Sequence, residues 1–267
     1  MKKLSILAIA FAAIVFAACG GKKSAQTEAA ADSLKSFEQS QIEASIKMHF
    51  DSIASEFSKL KQPAFLQESN GGITLSKQEK QVKPTYLLAP AVAEEATTLA
   101  EKYRILCALS VDKKIASLYE MPTNDYEEAI TKLAADINDP SFKVLDNAGN
   151  IFETSNALYD AMNENGRINF FWQLASAALV EDLYIASQNT EKFLSTFDDE
   201  AAANITFRVV LILDAVNRLS AYDPDIKIIA DAIAPLDVLN ATTVAELKSQ
   251  LAEAKEKIEA ARKALVK

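Results

Sequence analysis

Large apolar side chains recur along most of this chain at steps of three and four, the spacing of one face of an α-helix. Residues 34–60 place Leu34, Phe37, Ile46, Phe50, Ile53, Phe57 and Leu60 on one stripe, which Gln62-Pro63 ends. Residues 67–85 are polar and turn-rich, a long loop or a small hairpin. Pro90 opens a second long helix to about Ser110, followed by a shorter one to Tyr119, and Met121-Pro122 breaks the pattern. Thr123 or Asn124 can cap the next helix, which turns Tyr126, Ile130, Leu133 and Ile137 inward. After an irregular stretch over 138–153, a helix from about Thr154 stops at Asn165-Gly166 in a left-handed turn.

Two segments are apolar on nearly every side, residues 168–187 and 204–221. The acidic residues inside them mark them as buried core helices rather than membrane spans. Asp223-Pro224 opens a short helix, and Thr243-x-x-Glu246 is a capping box that opens the last one. That last helix repeats Val244, Leu247, Leu251, Ala254, Ile258, Ala261 and Leu265 in a narrow heptad seam. The seam fits docking on the chain's own bundle or a coiled coil with a protein partner through residues 243–267. The fold class is all-α, a multi-helix bundle of helical hairpins around two buried central helices, with an amphipathic C-terminal helix.

The beginning of the chain obeys a different pattern. Lys2 and Lys3 precede an apolar run over 4–18, broken only by Ser5. A membrane span needs about 20 apolar residues; this shorter run ends in small residues, as a signal-peptide core does. Ala17-Ala18-Cys19 resembles a bacterial lipobox, with cleavage after Ala18 and lipid on the Cys19 thiol. Residues 1–18 are then a lipoprotein signal peptide, 19–33 the lipidated cysteine and a flexible tether, and 34–267 one helical domain. Acyl chains contribute about 0.8 kcal/mol per buried CH₂, and several together anchor stably. The partner of the amino-terminal end is thus a membrane, through lipid on Cys19.

Composition removes several functions. The net charge is −9, more negative once Lys2 and Lys3 are cleaved away, with no basic block, so no nucleic-acid partner is expected. Besides Cys19 only Cys107 remains, so no intramolecular disulfide forms, and its neighbours Ile105, Leu106 and Leu109 make it a small core residue rather than a nucleophile. His49 is the single histidine, at the edge of the first stripe. That leaves no multi-histidine zinc, di-iron or bis-histidine haem set, and the expected cofactor and metal content is none. No glycine-rich phosphate loop or nucleophile elbow occurs.

Paired carboxylates are frequent, and most sit on solvated faces or at helix starts, as Asp198-Asp199-Glu200 does. Glu181 differs because its helix is buried, and a buried carboxylate requires a partner. Arg208, Arg218, Arg167 and Arg104 all lie on or beside apolar helices and are the candidate cations. Such a pair serves either as a structural tie between helices or as a polar ligand pocket.

The stretches VKPTYLLAP, LSVDKKIASLYE and AALVEDLYIASQ resemble a group of helical lipoproteins of unknown function from the Bacteroidota, over roughly residues 83–235. The matching positions are Asp112 and the run Ala177-Ala178-Leu179-Val180-Glu181-Asp182-Leu183-Tyr184. Together with the arginines this gives a candidate buried polar cluster of Glu181, Tyr184, Asp112, Arg208 and Arg218. The resemblance implies no activity. It implies a bacterium in which acidic residues after the lipidated cysteine direct surface export; here Gly20-Gly21-Lys22-Lys23-Ser24 precedes any acid, so the expected location is the outer membrane, facing the periplasm. It also implies O-glycosylation on Asp-Ser-aliphatic triplets, hence Ser33 and Ser52. Two functions fit: a membrane-anchored binding or scaffold module, or a carboxylate-based hydrolase acting on envelope glycans.

Overall fold

Local capping chemistry sets where the helices begin, and the buried faces set how they stack. The structure, a computed structural model, describes residues 48–56, 59, 72–147 and 155–267. By internal packing the chain divides into residues 1–48 and 49–267, and the second unit holds nearly all described residues. The signal peptide, Ala18, Cys19, the tether, Ser33 and the stripe residues Leu34, Phe37, Ile46, Phe57 and Leu60 lie outside the described residues.

Residues 48–56 form α1, with Phe50 and Ile53 buried and Ser52 exposed within the helix. In the polar stretch that follows, Ser76 and Glu79 form a capping box and start α2 (Lys77–Gln81), so the loop or hairpin expected there contains a short helix instead. Pro90 opens only a 3₁₀ turn, Pro90–Glu94. The long helix α3 (Leu99–Leu118) begins at Thr98, whose Oγ1 accepts from Glu101 N–H at 3.1 Å while Glu101 Oε2 accepts from Thr98 N–H at 2.8 Å. It does not break at Ser110, because that hydroxyl donates to the Leu106 carbonyl at 2.7 Å and is satisfied inside the helix. Glu120 in the left-handed region, with Glu120 N–H on Ser117 O and Met121 N–H on Ala116 O, closes α3 in a Schellman turn before Pro122.

α4 (Asn124–Ile137) buries Tyr126, Ala129, Leu133 and Ile137 and leaves Ile130 half-buried. Its C-cap, Asn138, is left-handed at φ 48°. A 3₁₀ segment, Pro140–Asn147, leads towards α5 (Ser155–Glu164). Gly166 at φ 67° makes the turn after α5, where a side chain would strain the backbone, and Arg167 N–H returns to Met162 O at 2.7 Å.

α6 (Ile168–Gln188) is buried on nearly every side and packs against α3, α5, α7 (Thr190–Phe193), α8 (Asp199–Leu219), α9 (Pro224–Ile233), α10 (Val244–Glu253) and α11 (Lys255–Leu265). Trp172, Leu179 and Leu183 fill its contacts, and Phe50 of α1 sits 6.2 Å from Trp172, centroid to centroid. α8 starts on the Asp198 cap, buries Ala202, Ile205, Val209, Ile212 and Val216, and turns Phe207 and Val210 to solvent. Thr243 and Glu246 cap α10 as the motif predicts. The C-terminal helix bends at Ala254 into α10 and α11, and Leu247, Leu251, Ala254, Ile258, Ala261 and Leu265 are all buried, with α6, α8 and α9 among the chain's own elements they pack against. No strand occurs among the described residues, and no helix among them is long and apolar enough to cross a membrane.

A buried arginine–carboxylate cluster as candidate functional site

Asp112 on α3 and Glu181 on α6 meet in the interior, with side chains 0% and 1% exposed. Two carboxylates removed from water need a cation with several donors. Arg262 of α11 supplies it: Nε donates to both Glu181 oxygens at 2.9 and 2.8 Å, and Nη2 donates to Glu181 Oε1 at 2.6 Å. Nη2 also reaches Asp112 Oδ2 at 3.3 Å, and Nη1 donates to the Tyr86 carbonyl at 3.1 Å. The guanidinium lies 3.9 Å from the ring centroid of Tyr184, a cation–π contact. One side chain therefore joins α11 to α3, to α6 and to the segment before α3.

Asp112 Oδ2 also accepts the Leu88 N–H at 2.6 Å, and the Asp112 carboxyl is hydrogen-bonded to Glu181. Tyr126 of α4 donates to the Leu88 carbonyl at 2.7 Å. Burial, then the Glu181 charge, push the Asp112 pKa well above the ordinary carboxylate range, against the opposing pull of Arg262 and the Leu88 N–H. Of the two carboxyls, Asp112 is therefore the one whose surroundings favour the protonated form. Burial works against the Arg262 charge, but the bonds to Glu181 and the nearby carboxylates outweigh it and raise the Arg262 pKa. Burial also lifts Tyr126, up to about 12, so its hydroxyl stays a donor.

The structure brings Asp112, Glu181 and Tyr184 together and places the other candidates elsewhere. Arg208 is buried on α8 and interacts with Asp182, on a different face of α6 from Glu181. Arg218 stays on the surface, its Nε 3.0 Å from Asp214 Oδ1 one turn away. Arg167 donates to the Tyr103 hydroxyl at 3.1 Å, and Arg104 donates to Gln173 Oε1 and to Leu265 O, both at 2.8 Å. The partner of Glu181 is therefore none of the four expected arginines. Arg262 belongs to a helix whose sequence is charged or alanine outside the seam, and nothing local sets it apart. The available signal is position: Arg262 follows Ala261 and lies four residues after Ile258, on the flank of the buried stripe, where a long aliphatic stem carries its head inward.

The remaining chemistry-bearing residues are occupied in packing. Cys107 is fully buried, and burial with the charges of Asp182 and Glu181 pushes its thiol pKa far up, away from thiolate. His49 Nε2 lies 2.9 Å from Asp214 Oδ2 at the edge of α1. Among the described residues no group of three or more His, Cys, Asp or Glu side chains could hold a metal ion. No protein-family model, curated protein or solved structure matches the chain.

The raised Asp112 pKa fixes a sign. The folded chain holds a proton that the unfolded chain releases above about pH 4, so Asp112 contributes stability at low pH and loses it as pH rises through its folded value. Asn mimics the neutral acid at every pH. Asp112→Asn is therefore expected to match the wild type near pH 4 and to gain relative to it as pH increases, read as the difference in urea midpoints from about pH 4 to 9. A difference that is flat with pH, or falls, would show that Asp112 is ionised in the fold.

Proposed function

We propose that this chain is a lipid-anchored module of the outer membrane, facing the periplasm, whose helical body acts by binding or scaffolding a partner. The observation that carries the reading is the junction Ala17-Ala18-Cys19, where a short apolar run after Lys2 and Lys3 ends at a lone cysteine followed by a glycine- and alanine-rich tether. The absence of acid in Gly20-Gly21-Lys22-Lys23-Ser24 supports the periplasmic side. The cluster geometry favours binding over glycan hydrolysis. A glycosidase needs two carboxylates flanking an open cleft about 5–10 Å apart, whereas Asp112 and Glu181 converge on one guanidinium in the interior.

Cys19→Ser is the test of the anchor. The variant is expected to lose incorporation of labelled fatty acid and to move from the membrane pellet to the soluble fraction in full. Retention in the pellet with unchanged labelling would sink the reading.

A further inference from the structure

The segment between Ser76 and Leu99 contains no buried residue, yet its middle lies directly on the buried carboxyls of Asp112 and Glu181. It crosses them as a strap, residues 83–90, bent at Thr85 and Leu87, whose backbone is read by side chains. Asp112 accepts the Leu88 N–H, Tyr126 donates to the Leu88 carbonyl, and Arg262 donates to the Tyr86 carbonyl. The Tyr86 ring meets the Tyr184 ring edge to face at 6.2 Å, and Lys83 Nζ donates to the Tyr119 carbonyl. One acceptor, two donors and an aromatic wall, supplied by α3, α4, α6 and α11, are the equipment of a groove that recognises peptide backbone.

We propose that this groove is a peptide-docking site, closed in the free chain by its own residues 83–90. Its partner is a protein segment that follows the same bent path and carries an aromatic residue two positions before an aliphatic one, as Tyr86 and Leu88 are spaced. The inference deepens the binding-module reading and rests on it, since the groove is the surface through which the module binds. The walls belong to the packed core, whereas the strap is held at its ends by weak elements. α2 and the Pro90–Glu94 turn bury no residue. α2 is tied down by Lys80–Glu120 at 2.6 Å and Glu79–Lys192 at 2.8 Å, ion pairs that water screens. A segment that buries no whole residue and is joined to the core by a few polar bonds can open locally, without unfolding the core beneath it. An incoming segment of the right spacing takes over the same three backbone bonds and the same ring contact, and leaves the strap free.

The test uses the full-length protein and a fluorescent peptide of residues 83–91, Lys-Pro-Thr-Tyr-Leu-Leu-Ala-Pro-Ala, against a scrambled control, read by polarisation. Saturable binding of the ordered peptide alone is expected. Leu88→Pro removes the N–H that Asp112 accepts, weakens the resident strap, and is expected to tighten peptide binding roughly tenfold, because a larger fraction of the protein is open. Tyr126→Phe removes a groove donor and is expected to weaken binding in the Leu88→Pro background. Hydrogen exchange on the wild type is the independent measurement should Leu88→Pro fail to fold: amides 86–88 are expected to exchange faster than those of α3 and α6. Equal binding of the scrambled peptide, no binding to either protein, or strap amides that exchange only with the core each overturn the proposal. None of these outcomes touches the membrane release of Cys19→Ser, so the anchor and the groove fail separately.

Discussion

A chain ending at residue 242 is expected to lose cooperative folding altogether. Residues 243–267 bring Leu247, Leu251, Ile258 and Leu265 into the core, each at most 1% exposed. Emptying one such site costs about 2–5 kcal/mol, so four at the low end reach about 8 kcal/mol, within the roughly 5–15 kcal/mol that separates folded from unfolded domains. The deletion also strands polar groups. Glu181 and Asp112 lose Arg262, and Arg104 loses the Leu265 carbonyl that its Nε donates to at 2.8 Å. Both losses fall on α6 or on α3 beside it, at the centre of the bundle. Circular dichroism of the truncated chain should show reduced helicity and no sharp thermal transition. A truncated chain that melts cooperatively near the full-length temperature, while losing a complex present in the full-length preparation, would assign the seam to a partner instead.

The same helix separates what is local in the sequence from what is not. Its seam and its Thr243–Glu246 cap are legible because both are local: a period of about 3.5 residues and two side chains three positions apart. The turn at Asn165-Gly166 and the burial of residues 168–187 are legible for the same reason. Glu181 stands out because a carboxylate in an apolar run must be paired. Its partner does not stand out, because Arg262 is 81 positions away and looks like any solvated arginine. Boundaries are misread where two local signals compete. Pro90 is a good first residue for a helix, and it starts a 3₁₀ turn; the Thr98–Glu101 capping box further on decides where α3 begins. The strap is not legible, because its bonds run to side chains on α3, α4 and α11, and such bonds leave no period in the sequence.

Arg262→Met is expected to cost about 3–5 kcal/mol, the penalty for leaving a buried charge without its counterion. The size follows from geometry rather than from the pair's attraction alone. The Arg262 side chain is 11% exposed, and Glu181 accepts three of its hydrogen bonds, so little water can substitute once it is gone. Lysine is not a rescue: one ammonium cannot span both Glu181 oxygens, Asp112 and the Tyr86 carbonyl in a planar fork. If uncompensated charge is the cause, removing the charge should restore stability. Arg262→Met combined with Glu181→Leu leaves Asp112 neutral, with the Leu88 N–H still its donor, and is expected to recover most of the loss. Urea unfolding of the wild type, both single variants and the double variant gives the coupling energy directly. A cost for Arg262→Met under about 1 kcal/mol, the worth of an exposed pair, or a double variant no better than Arg262→Met, would mean that α11 is held by its apolar seam and that the cluster holds nothing together.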